Sequence, residues 1–330
     1  MLGLTQVTAR GGVPSIRIAV YKVCWSGGCK EASILVAFDN ATKDLVHILS
    51  VSISESVSKK NIYFKDVLSV GSFHAMKHGV LTVFSFGNAG PYPKSLQNYQ
   101  PWTIIVGSIT WDMKFVTKVK TGNNITYETN SLDDKLVNGK IVLWEGDIGV
   151  AEAFRVGIVG GLMQEQAYID IVVSFTLPTC YLQLKDVAEI HCFPTATIFK
   201  TIELKDSLTS VVASFSSRGP DNTTPEILKF RDLIAPTVDI MASWSQISDS
   251  NGETKKFMFN IILGTSMACP HVSGATTNIK SFHPTWSLVA IWSALITTVA
   301  PISSKNNQDA EFAYGAGQID PVKVVNPGLI

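Results

Sequence analysis

The sequence predicts an α/β fold, a parallel sheet flanked by helices. Three observations predict it. Between Arg17 and Ile109, β-branched apolar runs alternate with segments of helical apolar spacing. Hydrophobic residues make up 46% of the chain and charged residues only 16%, the balance of strands buried on both faces. Gly, Asn and Pro gather just beyond a strand candidate, where an open α/β sheet carries its functional loops.

The elements follow in order. Arg17 to Val23 (RIAVYKV) reads as a strand, and after a loop holding Gly27 and Gly28, Glu31 to Lys43 reads as a helix with Ile34, Leu35, Phe38 and Ala41 on one face. Val46 to Ser54 is a second strand. Phe64 to Lys77 is a helix stopped by Gly79, and Val80 to Phe86 and Thr103 to Ile109 are further strands. After about Trp111 the alternation breaks into short irregular strands such as Lys140 to Glu145 (KIVLWE). Residues 112–206 are therefore read as a strand-rich insertion, dividing a core made of residues 1–111 and 207–330. From Val211 come a Gly/Ser/Pro loop (SFSSRGPD), a segment ending in Ala235-Pro236, a long helix from Thr265 and another over roughly Leu288 to Thr298.

Composition excludes several functions. With 27 Lys plus Arg against 27 Asp plus Glu, and no basic run longer than two, no nucleic-acid partner is expected. No window approaches the ~20 apolar residues that cross a bilayer, so no membrane span is expected either. Disorder is excluded by the apolar content. Cys24, Cys29, Cys180, Cys192 and Cys269 contain no C-x2-C pair, which argues against a zinc site. Cys24 and Cys29 are compatible equally with a small disulfide and with two reduced thiols. His74 and His78 have the spacing of paired zinc ligands, but Ala75 stands where such a motif has Glu, so a plain helix face is expected. No metal and no cofactor is anticipated.

Two stretches carry chemistry. In Gly264 to Gly274 (GTSMACPHVSG), Gly264 can supply an unusual backbone angle and Thr265 or Ser266 can cap a helix. Small residues (Ala268, Gly274, Ala275) would let that helix run through the interior. A Ser266 hydroxyl there sits at the positive end of the helix dipole, which suits a nucleophile whose product state is an oxyanion. In Phe86 to Pro91 (FGNAGP), Asn88 lies just beyond a strand end, where its amide can donate to developing negative charge. The plainer readings are a Ser cap and an ordinary turn. Together the two stretches describe half of an acyl-transfer site.

With their surroundings they resemble the subtilisin-like serine proteases, and within them the plant cucumisin-like group. ARGGVPSIRIAVYKVCW (Ala9 to Trp25), FHAMKHG (Phe73 to Gly79), the Asn88 turn, VVASFSSRGP (Val211 to Pro220), the Ser266 helix and YGAGQIDPVKVVNPGL (Tyr314 to Leu329) follow that family in order. The resemblance implies a subtilase-type sheet with a protease-associated-type insertion, secretion to the apoplast, and endopeptidase action on protein or peptide substrates. It implies Ser266 as nucleophile, Asn88 as oxyanion donor, and Ser52, Ser54, Gly87 and Gly264 beside the substrate.

The family's Asp lies in a D-[ST]-G turn and its His in G-H-G-T-H, both ahead of the ARGGVP segment, and neither motif occurs in these residues. His271 follows Ser266 by five residues on one helix, about 140° around the axis. His283 precedes Pro284, His191 falls in the insertion, and His47 falls in a strand. Removing the base alone in subtilisin, the family in which this was measured, costs about 10^6 in turnover. The expectation is a fragment of a protease that is nearly inactive as it stands. The alternative is a non-catalytic pseudoprotease that binds peptides. Further departures are Ser52-Ile53-Ser54-Glu55 where the family has a Gly-Gly strand end, whose side chains would narrow the cleft and add a negative charge, and LKFRDLIAPT (Leu228 to Thr237), one residue longer and with Thr237 in place of Gly. The sequence begins without a secretory signal and stops at Ile330, where relatives continue into a β-rich domain. Sequons at Asn40, Asn124 and Asn222 add little, since about two are expected by chance.

Overall fold

The computed structural model describes residues 11–54, 63–110, 211–220, 232–238, 240–245, 258–303, 307 and 309–328, together with the short strands between 113 and 205 given below. The chain forms two compact units. One comprises Ala9–Asp112, Ser207–Ile240 and Leu263–Ile330, and the other is built mainly from Met113–Asp206 and Met241–Ile262.

The first unit is centred on four parallel strands, β1 (Ile48–Val51), β2 (Leu81–Ser85), β3 (Ile104–Ile109) and β4 (Leu233–Pro236), in the order β4-β3-β2-β1. Its helices are α1 (Glu31–Lys43), α2 (Val67–Lys77), α3 (Thr265–Phe282), α4 (Leu288–Thr297) and the short α5 (Glu311–Tyr314). The fold class is α/β, as the alternation predicts.

Strand side chains alternate between the two faces, and the core divides accordingly. Leu81, Val83, Ile104, Val106, Leu233 and Ala235 face α3 and α4, meeting Ala268, Cys269, Val272, Ile279, Ile291 and Leu295. Phe84 points the other way, into a cluster with Ile34 and Phe38 of α1 and Leu68 and Ala75 of α2. Ile279 and Leu295 are almost wholly buried, each stabilising the fold by about 1.5–3 kcal/mol.

Helix α1 occupies the interval its apolar spacing predicts, with Ile34, Phe38 and Ala41 buried. Helix α2 starts later than its pattern suggests. Asp66 accepts from the backbone N–H groups of Leu68 and Ser69 and so caps it at Val67, while Phe64 stays 83% exposed. The buried Asp66 carboxylate also accepts from Ser69 Oγ and Gln100 Nε2, tying the cap to the segment before β3.

Three expectations are corrected. Arg17 to Val23 is not a strand: Ile18 and Val20 are 79% and 85% exposed, and no ladder partner is registered with them among the described residues. A β-branched run becomes a strand only beside a neighbour that takes up its backbone groups. The chain instead makes a hairpin, Cys24–Trp25 against Gly28–Cys29, closed by a Cys24–Cys29 disulfide with Cα atoms 4.0 Å apart. Neither Thr265 nor Ser266 caps α3, because Gly264 is the N-cap and no side chain bonds there as a cap. Gly274 relieves no crowding, since a Cβ there would meet nothing within 4 Å.

In the second unit, Ile141–Glu145, Gly160–Gln164 and Thr179–Tyr181 form a parallel three-stranded sheet with Gly160–Gln164 in the centre. Met113–Val116 pairs antiparallel with Ile202–Lys205, and Val119–Thr121 with Ala196–Ile198. Ile240–Ser243 and Phe259–Ile262 form a two-stranded sheet. Glu55, Asn124, Cys180, His191, Cys192 and Asn222 carry expectations that lie outside the described side chains.

Candidate active site

Parallel strands deliver their carboxyl ends to one edge of the sheet, where loops gather. Ser52 follows β1, Gly87 and Asn88 follow β2, and Thr237 follows β4, while the N-terminus of α3 meets all three. The structure thereby brings together Ser52, Gly87, Asn88, Gly264 and Ser266, residues up to 214 apart in sequence. Ser54 is exposed two residues beyond Ser52 and makes no hydrogen bond with a described residue.

Gly264 opens the helix at φ 129°, ψ 155°, a conformation left almost entirely to glycine. Asn88 is pinned against that opening. Its Oδ1 accepts from the Thr265 backbone N–H at 2.9 Å and from Thr265 Oγ1 at 2.8 Å. The Thr265 hydroxyl in turn accepts from the Gly87 N–H at 3.2 Å. Because the acceptor end of the amide is fully used, its Nδ2 end has a fixed direction. Nδ2 bonds no described residue and lies 3.3 Å from the point where a Cβ on Gly264 would stand. Gly87 itself is buried with φ 100°, and a Cβ there would strike Gln97 Oε1 at 2.3 Å.

Ser266 is the second residue of α3 and half-buried, and its hydroxyl bonds no described residue. Its carbonyl has an unusual partner. Pro270, four residues on, has no N–H to return to that carbonyl, and the Ser52 hydroxyl donates to it instead at 2.9 Å. A proline inside the helix thus leaves an acceptor that ties the nucleophile candidate to the exit of β1. Asn98 holds the same exit from the other side: buried, its Nδ2 donates to Ile53 O at 2.9 Å and to Ser85 O at 2.7 Å.

The Asn88 turn rests on the loop at residues 213–219. Ser217 N donates to Gly87 O, Ser217 Oγ accepts from Ala89 N, and Gly90 N donates to Phe215 O at 2.8 Å. A Cβ on Gly90 would fall 2.0 Å from Ser216 O, so the two backbones touch. The loop is locked by the buried Arg218. Its Nε bonds Asp309 Oδ2 at 2.9 Å, and its NH1 donates to the carbonyls of Ala213 and Ser216. Asp232 plays a similar part beneath β4, accepting from Ile105 N and from Trp292 Nε1. Composition and spacing give no signal for Arg218, Asp232 or Asn98, whose partners lie 91, 127 and 45 residues away.

The described histidines are placed elsewhere. His271 bonds the Met267 carbonyl and His78 the His74 carbonyl. His283 bonds Val325 O and stacks on Trp286 at 3.8 Å. His47 stands before β1, five residues and about 16 Å of extended chain from Ser52. His74 lies on α2 and His78 caps its C-terminus, and that helix packs against the face of the sheet opposite α3. Cys269, one turn below Ser266, is buried, and burial pushes its thiol above the ordinary value. No helix among the described residues is long and apolar enough to cross a membrane.

A helix-start serine beside an amide of fixed direction can hold a carbonyl carbon at one and its oxygen at the other. Comparison with known proteins places the whole chain. The profile of the Subtilase family matches residues 3–317. Subtilisin-like protease SBT4.3 of Arabidopsis thaliana is 38% identical over 99% of this chain and 51% of its own length, and SBT4.15 of the same plant is 36% identical over 100% and 50%. The chain thus spans about half the length of the curated relatives it matches. Among solved structures, the prenylagaramide maturation protease PagA aligns over 92% of this chain and 69% of its own, with 13% identity and a TM-score of 0.48. The family match over nearly all residues, on a parallel sheet whose strand ends converge on a serine-headed helix, leads to one conclusion: this chain belongs to the subtilase family.

Proposed function

We propose that the chain supplies the nucleophile and oxyanion half of a serine endopeptidase site acting on proteins or peptides. Ser266 Oγ attacks the carbonyl carbon of a peptide bond while its proton passes to a base. The developing oxyanion accepts from Asn88 Nδ2, the amine leaves with the proton, and water hydrolyses the acyl-enzyme. Ser52, Ser54, Gly87 and Gly264 flank the extended peptide. The observation that carries this reading is the double acceptance by Asn88 Oδ1 from Thr265, which leaves both Nδ2 hydrogens facing away beside the helix start. No described imidazole faces Ser266, so turnover by these residues alone is expected to be very low. We read residues 112–206 as a protease-associated-type insertion, supported by their strand content, and secretion as the cellular route, supported by the family.

The test is chemical rescue. Added imidazole should accelerate phosphonylation of Ser266 by a fluorophosphonate probe, with modification mapped by mass spectrometry. Asn88→Ala should slow it by the order of 10^2–10^3 that removal of such a donor costs in subtilisin, a member of this family. Equal labelling in Ser266→Ala would end the proposal. A second reading, a peptide-binding pseudoprotease, is supported by His271, whose ring on the Ser266 helix is engaged with the Met267 carbonyl. It requires peptide binding with no Ser266 labelling at any imidazole concentration.

A further inference from the structure

Resting on the reading of Asn88 as oxyanion donor, we propose that Thr237 is a positioning residue of that site, acting through one peptide plane. Thr237 directly follows β4 and is wholly buried. Its own N–H donates to Ile109 O at 3.1 Å, which continues the ladder and fixes where its side chain points. The hydroxyl donates to the carbonyl of Gly264. That carbonyl and the Thr265 N–H belong to the same peptide group, which is planar. One end of the plane is therefore held by Thr237, and the other donates to Asn88 Oδ1 at 2.9 Å.

The chain of bonds runs from Thr237 Oγ1–H to Gly264 C=O, and from Thr265 N–H to Asn88 Oδ1. Hydrogen bonds in series polarise one another, so donation to the carbonyl strengthens the N–H as a donor. The direction matters as much as the strength. Gly264 sits at φ 129° with no Cβ to confine it, and its remaining internal restraint is the Met267 N–H on the same carbonyl at 2.8 Å. A glycine samples more backbone conformations than any other residue, so this plane needs an outside anchor. Thr237 supplies it from a strand whose residues are buried or nearly so. Rotation of the plane would turn the Thr265 N–H away from Asn88 and release the amide whose direction the proposed chemistry uses.

The experiment uses the full chain, 15N-labelled, as wild type, Thr237→Val and Thr237→Ser. Val keeps the shape and removes the donor, and Ser keeps the donor and removes the methyl. The Asn88 side-chain amide resonances are identified by their loss in Asn88→Asp. In Thr237→Val they are expected to move by more than a linewidth, and Ser266 phosphonylation in imidazole is expected to slow about fivefold, the factor for one lost hydrogen bond. Thr237→Ser is expected to keep both at wild-type values. Unmoved Asn88 resonances in folded Thr237→Val overturn the inference, as do displaced resonances in Thr237→Ser, which also decides the matter should the Val variant fail to fold. If wild-type Ser266 reacts no faster than the Ser266→Ala background, the proposed chemistry fails, and the resonance measurement still judges Thr237 on its own.

Discussion

Replacing Gly264 by alanine tests the geometry of the helix opening most directly. At φ 129°, ψ 155° an L-residue is held in a region that costs on the order of 1–3 kcal/mol. The new Cβ would stand 3.3 Å from Asn88 Nδ2 and 3.9 Å from both Asn88 Oδ1 and Met267 Sδ. The Nδ2 contact is tighter than an ordinary van der Waals approach, and the amide must give way by a few tenths of an ångström. Asn88 cannot do so without lengthening its two bonds from Thr265, each worth about 1 kcal/mol. Strain and lost bonds together predict a destabilisation of about 3 kcal/mol, a shift of the urea midpoint on the order of 1 M. The Asn88 side-chain amide resonances should also move, because the Cβ meets that group before any other. Urea titration of Gly264→Ala beside wild type measures the first, and a 15N spectrum the second. A midpoint unchanged within about 0.2 M would refute the assigned backbone angle. A shifted midpoint with unmoved Asn88 resonances would refute the contact.

Three further outcomes follow from the same structure. Arg218→Leu should destabilise by about 2–3 kcal/mol, because it strips the Ala213 and Ser216 carbonyls of a buried charged donor, while Asp309 at 50% exposure is rehydrated; a loss under 0.5 kcal/mol in denaturant titration contradicts the buried lock. Native Cys269 should resist iodoacetamide at neutral pH and react once unfolded, since burial both hides the thiol and raises its pKa; peptide mapping that finds it alkylated in the native state shows the helix packing to be wrong. The Asp320 carboxyl is held below its ordinary value chiefly by the Lys323 backbone N–H. A depressed folded value means that its contribution is present above the unfolded value near 4 and is lost as pH falls through the folded one. Asp320→Asn should therefore be less stable than wild type at pH 6, with the gap narrowing as the pH is lowered below about 4, and a gap that does not narrow in acid speaks against this assignment.

Much of the fold is legible in the sequence, for reasons that also explain what is not. Helix α1 and strands β2 and β3 carry periodicities of their own, and each sits within a residue or two of the predicted interval. Arg17 to Val23 has an equally strong local pattern and forms no strand, because pairing depends on a neighbour that its own residues do not encode. The start of α2 was legible only through Asp66, whose short side chain outweighs the apolar spacing that begins at Phe64. In the site, Asn88 at a strand end and Ser266 at a helix start are visible as residue types in the right local setting. What fixes them is not visible. The bond from Ser52 to Ser266 depends on the proline at 270, and the amide's direction depends on Thr265, 177 residues from Asn88. Thr237 stands out in the sequence only as a departure from glycine, and its bond to Gly264 becomes apparent once β4 and α3 are side by side.

The parallel sheet also sets a timetable for synthesis. Strands β1 to β3 leave the ribosome with Leu81, Val83, Ile104 and Val106 facing a helix that does not yet exist. Helix α3 follows β3 by about 160 residues, an interval of roughly 8–30 s at ordinary elongation rates. Throughout it the nascent sheet offers water an apolar face, and until β4 is made, about 30 residues before α3, the β3 edge is unpaired as well. Slower elongation lengthens that exposure, and apolar surface left open in this way favours aggregation.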